Sequence, residues 1–243
     1  MDNTDNTKPT RSHPGLQEFA PGQHVCFIYE TDEEYRALLS LFLQQGLERG
    51  EKVLYIADVH DPATILGYLQ NGGIDAAPYV ASGQFSILTP EETYLQGGNF
   101  DPERMIARLQ AETEQALTEG YSALRITGEM TWALRPLPGS ERLVEYEAKL
   151  NISWPGKCLG MCQYDRRRFR ADILLDMMRT HSLVALDQKL YENFHYVPPE
   201  KLLSADPAAA TFQQWLYSLE VHKQAEDALQ QRTEELLILN RIG

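Results

Sequence analysis

Residues 122–132 read S-A-L-R-I-T-G-E-M-T-W, a short β-prone run that meets a glycine at 128, a carboxylate at 129 and two large soft side chains, Met130 and Trp132. Read as a strand that breaks at Gly128, this stretch puts one charge and an aromatic side chain at the end of a strand. In an open α/β sheet, ligands bind just past the carboxyl ends of the strands. Taken alone, the same stretch also describes a solvated glutamate and a tryptophan covering the core. Its neighbours along the chain weigh the two.

Upstream, H-V-C-F-I-Y at His24–Tyr29 is an apolar, β-rich run. Thr31 or Asp32 can cap the helix that follows, which carries Leu38, Leu39, Phe42, Leu43 and Leu47 at helical spacing and stops at Gly50. Lys52 to Ala57 is a second strand ending at Asp58. Pro62 to Gln70 is a helix closed by Asn71-Gly72-Gly73. Gln84 to Leu88 is a third strand, followed by a loop with Tyr94. Asp101-Pro102 opens a helix with proline in its first turn. Downstream come a helix over Leu143–Asn151, a strand over Lys157–Tyr164 with a turn at Asp165, a helix over Ala171–Thr180, and short strands at 183–186 and 189–191. Strands alternating with helices predict an α/β fold with a mainly parallel, doubly wound sheet. Right-handed crossovers then place Tyr29, Asp58, Glu91, Glu129 and Asp165 at one edge.

The chain has 243 residues, 43% hydrophobic and 23% charged, enough for one large core plus an appendage. A net charge of −13 argues against a nucleic-acid partner, which needs a basic face. No apolar run approaches a membrane span, and M-D-N-T-D-N-T-K-P-T is no signal peptide. Residues 1–19 read as a disordered tail. Cysteines at 26, 158 and 162 make no disulfide framework and suit a reducing cytoplasm.

Several chemistries lack their residues. A phosphate loop needs G-x-x-x-x-G-K-[ST], whose glycine amides and lysine hold phosphate oxygens. The chain offers Y-E-T-D-E-E-Y at that place, and no dinucleotide fingerprint or H-E-x-x-H elsewhere. Cys158 and Cys162 share a strand face but lie roughly 13 Å apart, too far to hold one zinc together. Cys26 on a neighbouring strand can approach Cys162, although small buried apolar roles suit all three thiols. His24 and His181 could serve as ligands, but a lone histidine is more often simply hydrogen-bonded, so no metal and no cofactor is expected. The basic run Arg166-Arg167-Arg168 follows Asp165 at a strand end, where it could clamp an anion, although a solvated, salt-bridged turn is the more common outcome.

Five segments together resemble a known family: H-V-C-F-I-Y, F-L-Q-Q-G-L-E-R-G-E-K-V-L-Y-I at 42–56, G-E-M-T-W at 128–132, Y-E-A-K-L-N at 146–151 and C-Q-Y-D at 162–165. They are similar to the MEDS domain, a sensory domain of methanogens, methylotrophs and a dichloromethane-responsive regulator. The resemblance runs over residues 20–204 and includes Y-V-P-P-E at 196–200. It implies an input domain for small organic molecules, on a RecA-like or KaiC-like three-layer fold without its phosphate loop. Carried over position by position, the family pattern marks His24, Cys26, Tyr29, Tyr94, Glu129, Trp132, Glu147, Asn151, Cys162, Tyr164 and Asp165. Tyr29, Glu129, Trp132 and Tyr164 are expected to line one pocket at the sheet edge.

After a break at Pro207–Ala210, residues 211–243 read as one helix. Ala225, Leu229, Arg232, Leu236 and Leu239 follow a heptad seam with Arg232 in a core position. The segment resembles signalling helices that join sensors to output modules such as kinases. The expected function is a cytoplasmic, non-enzymatic ligand sensor that dimerises through this helix. Two alternatives stand beside it: an enzyme using Glu129 and Asp165 as an acid–base pair, and a ligand-free ATPase-like scaffold.

Overall fold

A computed structural model of the protein describes residues 19–242, with side chains described as far as Ile238. Its centre is one sheet of seven strands: β1 (His24–Tyr29), β2 (Lys52–Ile56), β3 (Phe85–Leu88), β4 (Leu124–Glu129), β5 (Cys158–Asp165), β6 (Leu183–Leu186) and β7 (Lys189–Glu192). The order is β3-β2-β4-β5-β1-β6-β7. Every neighbouring pair is parallel except β6 and β7, which form an antiparallel hairpin at one edge. The mainly parallel α/β architecture expected from the alternating pattern is therefore the one that forms.

Helices cover both faces, so the central strands are buried throughout, as parallel sheets are. One face packs on α1 (Asp32–Glu48), α2 (Pro62–Asn71) and α3 (Ala77–Ala81), through Val25, Phe27, Tyr55, Leu159 and Met161. The other packs on α4 (Pro102–Thr118), α5 (Leu143–Ser153) and α6 (Ala171–Thr180), through Cys26, Ile56, Ile126, Cys162 and Tyr164. The period of two in side-chain direction decides which groups can meet. Tyr29, Arg125, Glu129 and Asp165 belong to the first face by parity. His24, Cys26, Cys162 and Tyr164 belong to the second.

Local chemistry sets the element ends. Thr31 caps α1 and Glu34 reaches back to the Thr31 amide, a capping box of the kind that closes a helix start. Asp61 and Asp101 cap α2 and α4, each with proline in the first turn. Four expectations need correction. Gly128 does not end its strand, because β4 runs through it to Glu129. Its lack of a side chain serves close approach: a Cβ there would sit 3.0 Å from the Tyr94 hydroxyl and 3.3 Å from Ile56. Strand β5 likewise continues to Asp165. The short helix α3 was not expected, since residues 77–81 show too little apolar periodicity. The fourth concerns the supposed break at 207–210, which is the first turn of α8 (Pro207–Ile242). Pro207 suits that place because its missing N–H would be unpaired there in any case, and the Asp206 carboxylate accepts from the Ala209 amide at 3.0 Å.

Phe19 is 2% exposed and stacks edge-on against Phe42, so it belongs to the core rather than to the tail. The rest of the expected tail, residues 1–18, lies outside the described residues. A turn of helix, α7 (Pro199–Leu202), anchors α8. Trp215 packs with Val197, Leu202 and Ala148, and donates its indole N–H to the His195 carbonyl at 2.9 Å. Beyond this anchor the seam residues Leu229 and Leu236 are exposed. The side chain of Leu239, the last seam position, lies outside those described.

Candidate functional site

The carboxyl edge of β1, β2 and β5 carries a cleft of about 370 Å³ on the α1/α2 face, lined by Tyr29, Asp32, Val59, His60, Asp165, Arg167 and Arg168. Asp165 holds its floor together. It accepts from the Arg167 amide at 2.9 Å and from the Arg167 guanidinium at 2.8 and 2.9 Å, with Arg168 Nε at 3.5 Å. Arg167 also reaches Asp32 at 2.8 Å. Burial raises the Asp165 carboxyl, but the Arg167 hydrogen bonds outweigh it and leave the group below the ordinary carboxylate range. Burial and the nearby Asp165 and Glu129 charges push the Tyr29 phenol well above its ordinary value.

Behind the cleft lies Glu129, 2% exposed. Its Oε2 faces the three successive amides of the loop after β2: Asp58 at 2.8 Å, Val59, and His60 at 3.2 Å. Its Oε1 faces the Tyr35 hydroxyl at 3.1 Å, the Tyr55 hydroxyl at 2.5 Å and His60 Nδ1 at 2.5 Å. His60 stacks on Tyr35 with ring centroids 4.6 Å apart and lines the cleft. Burial would raise the Glu129 carboxyl, yet the bonds from His60, Tyr55 and Val59 bring it down to about 2. A general acid or base works best with a pKa near the operating pH. Both carboxyls are instead held below the ordinary carboxylate range.

A second cluster sits on the opposite face, between β1, β5, α5 and the end of α6. It joins His24, Glu147, Cys162 and His181, all buried, and their donor atoms lie within 4.8 Å of one another. His24 Nε2 is 3.2 Å from Glu147 Oε2 and 3.4 Å from Cys162 Sγ. His181 Nε2 is 3.5 Å from the same Glu147 oxygen. Cys162 Sγ is 3.8 Å from it. The other Glu147 oxygen accepts from the Tyr164 hydroxyl at 2.8 Å. Both imidazoles are held from behind: His24 Nδ1 lies 3.1 Å from Asn151 Oδ1, and His181 Nδ1 lies 2.9 Å from the Met177 carbonyl. Burial and the neighbouring His24 charge hold His181 down to about 4, so it is neutral at pH 7. Burial works against the Glu147 charge, but the polar groups around it, His24 first among them, leave its pKa lowered.

The expected single pocket is thus divided by the sheet. Tyr29, Glu129 and Asp165 lie together on the cleft side. Trp132 does not join them: it is 0% exposed and stacks on Tyr94 at 4.7 Å, within the other core. Tyr94 and Cys26 are likewise buried on that side. Tyr164, one residue before Asp165, turns away from the cleft and into the Glu147 cluster, as neighbours on a strand must. The residue roll from the family pattern nevertheless contained His24, Glu147, Asn151, Cys162 and Tyr164, which the fold gathers. His60 was missed, and His181, weighed as a ligand, was set aside as an ordinary hydrogen-bonded histidine. His60 lies in a loop and His181 directly after a helix, where no periodic pattern marks them.

At the place where a phosphate loop would stand, the chain carries the capped acidic start of α1, and the buried Glu129 carboxylate lies beneath the sheet edge. The chain belongs to the MEDS family, described as MEthanogen/methylotroph, DcmR Sensory domain, whose model matches residues 23–182. It is 25% identical over 166 residues to the transcriptional repressor DcmR of Methylorubrum extorquens, covering 68% of this chain and 60% of that protein. The chain therefore spans about 60% of that relative's length. Among solved structures it is similar to an uncharacterized Pyrococcus horikoshii protein in complex with an unknown peptide, at 14% identity and a TM-score of 0.54, over 69% of this chain and 78% of that one. That likeness shows the fold. A KaiC-like protein from Pyrococcus horikoshii OT3 matches at 15% identity and a TM-score of 0.48, over 68% and 71% of the two chains.

Proposed function

We propose that this chain is the ligand-sensing input domain of a regulatory protein, and that a small polar organic molecule occupies the edge cleft. The observation that carries this reading is the position of His60. Its ring lines the cleft while its Nδ1 is bound to Glu129. An occupant that moves His60 therefore acts on a hub tied to α1, β2 and β4. The cleft volume falls within the range typical of small-molecule sites, about 300–1,000 Å³. The signal leaves through α8, whose anchored first half continues into a seam at Ala225, Leu229, Arg232 and Leu236. Two such helices pair in parallel, and a change of register or rotation carries the message to an output module. Family membership supports the regulatory role, and the repressor relative suggests that transcription is one output.

A thermal-shift screen of small organic compounds tests the site. Hits should lose at least about tenfold in affinity, about 1.4 kcal/mol, in both His60→Ala and Arg168→Ala. Hits indifferent to both variants remove the cleft from the reading. A second location has its own support: a groove of about 580 Å³ where the domain meets α8, lined by Leu183, Phe194, Tyr217 and Val221. Hits abolished by Tyr217→Ala alone place the ligand there. Sedimentation of the full chain and of one ending at Leu203 tests the dimer; a dimer that persists without α8 moves the interface into the domain.

A further inference from the structure

We propose that His24, Glu147, Cys162 and His181 form a buried binding site for one divalent transition-metal ion, with zinc the best chemical fit. This goes beyond the sensing reading and does not depend on it. The donor set is a thiolate, a carboxylate and two imidazoles, a mixture that suits zinc and is unsuited to calcium or magnesium, which take oxygen ligands. Zinc bonds of ~2.0–2.1 Å to nitrogen or oxygen and ~2.3 Å to sulfur put the corners of a tetrahedron ~3.3–3.6 Å apart. The separations around Glu147 Oε2 and His24 Nε2 are 3.2, 3.4, 3.5 and 3.8 Å. Those four of the six edges match or come near such a polyhedron, and the remaining two pairs lie within 4.8 Å, so a small inward shift of His181 would close it around an ion.

Three further observations point inward to an ion. His181 Nε2 is fully buried and makes no hydrogen bond among the described residues, although it faces Glu147. An orphaned ring nitrogen in a protein interior is costly unless something else satisfies it. Each imidazole is also braced at Nδ1 by an oxygen acceptor, Asn151 Oδ1 or the Met177 carbonyl. A proton held at Nδ1 leaves the Nε2 lone pair directed into the cluster, the arrangement that second-shell acceptors impose on metal-binding histidines. Finally, the Tyr164 hydroxyl occupies one Glu147 oxygen and leaves Oε2 for a single metal bond.

Charge closes the account. Binding forms one Zn–S bond at Cys162 and releases its thiol proton to solvent. Thiolate and carboxylate then carry two negative charges against the two positive charges of the ion, with both imidazoles neutral. The site is buried on every side and supplies four protein donors, which marks it as structural rather than catalytic. It would fasten α5 and the end of α6 to β1 and β5. The sequence conceals it because the four ligands come from four separate elements, with no C-x-x-C or H-x-x-x-H spacing.

Elemental analysis of the full chain after prolonged dialysis tests the proposal. We expect one zinc per chain, removed by a strong chelator with a fall in melting temperature and restored by zinc alone. Cobalt added to the stripped protein should give a thiolate-to-cobalt charge-transfer band and the visible spectrum of a tetrahedral ion. Cys162→Ser and His181→Gln should abolish both signals, Asn151→Ala should weaken cobalt uptake about tenfold or more, and Cys158→Ser should change neither. Wild-type protein that carries no metal and takes up neither zinc nor cobalt overturns the proposal, whatever the variants do. Full occupancy in folded Cys162→Ser and His181→Gln also overturns it, since the ion then lies elsewhere.

Discussion

Glu129 and Glu147 are both buried carboxylates with histidine neighbours, on opposite faces of one sheet, yet they are satisfied in different ways. Glu129 is met by three backbone amides and two phenols, which stand as donors at neutral pH on both oxygens, and by His60 Nδ1. Glu147 has one firm donor, the Tyr164 hydroxyl, on one oxygen. Its other oxygen faces two imidazole nitrogens and a sulfur, groups that donate only when protonated and otherwise present lone pairs. Backbone amides cannot be titrated away or exchanged, so the first carboxylate is locked by the fold itself. The second is left facing atoms that bind protons or metals. Burial alone says little about a carboxylate's role; the kind of partner around it says more.

The largest expected effect separates the two directly. Glu129→Ala strips the partner from Tyr35, Tyr55 and three amides inside the protein. Removing one side of such a buried network costs about 3–5 kcal/mol, read as a shift in the denaturant midpoint. Glu147→Ala in chelator-treated protein leaves one phenol without its acceptor, at about 1–3 kcal/mol. Equal losses in the two variants would erase the distinction drawn here.

Acid unfolding sharpens it next. The Glu129 carboxyl falls from an ordinary 4.5 to about 2 in the folded state. A depressed carboxyl contributes stability that is fully present above the unfolded value and is lost as pH falls through the folded one. That contribution is on the order of 3 kcal/mol. Wild-type stability should therefore drop between pH 4.5 and about 2, and Glu129→Gln should flatten the drop across that window. A Glu129→Gln profile parallel to the wild type would show that other carboxyls govern the acid limb.

The sheet and its order of elements were legible because they follow from periodicity. His24–Tyr29 is a run with no charged residue and forms β1 with the ends expected. The same alternation, once β5 is known to run on through Asp165, divides the expected site. Tyr164 and Asp165 are consecutive on a strand and so face opposite ways, and one pocket could not hold both. The Glu147 cluster was harder to see. Glu147 sits mid-helix as an ordinary charged residue would, and its partners lie 123, 15 and 34 positions away, at His24, Cys162 and His181. Spacing carries no trace of such a meeting, because the crossovers of the fold make it. Gly128 misled for a related reason: the space it leaves is filled by Tyr94, from a loop over thirty positions earlier in the chain.

Gly128 also gives a smaller test of how independent the two faces are. It lies beside Glu129 but its missing side chain points towards Tyr94. Gly128→Ala should cost about 1–3 kcal/mol through overpacking, and Tyr94→Phe, which removes the nearest oxygen, should recover part of that. If Gly128→Ala instead lowers stability mainly through the acid-sensitive window of Glu129, the strand is passing strain across the sheet.

The smallest expected effect is the coupling between the two glutamates themselves. They share no hydrogen-bond partner among the described residues, and a layer of strands lies between them. Sites of that kind add to within about 0.3–0.5 kcal/mol. A double-mutant cycle of Glu129→Gln and Glu147→Gln, measured by denaturant unfolding of chelator-treated protein, should give a coupling inside that range. A coupling well above about 0.5 kcal/mol would mean that the cleft side and the Glu147 side respond as one body. Thr127 and Gln163 are the first place to look for such a link, because Gln163 donates to the Thr127 hydroxyl at 2.6 Å and Thr127 donates to the Met161 carbonyl at 2.8 Å on β5. Replacing Gln163 with leucine in the same cycle then discriminates: a coupling that collapses runs through this bridge, and one that survives runs through the backbone of β4 and β5.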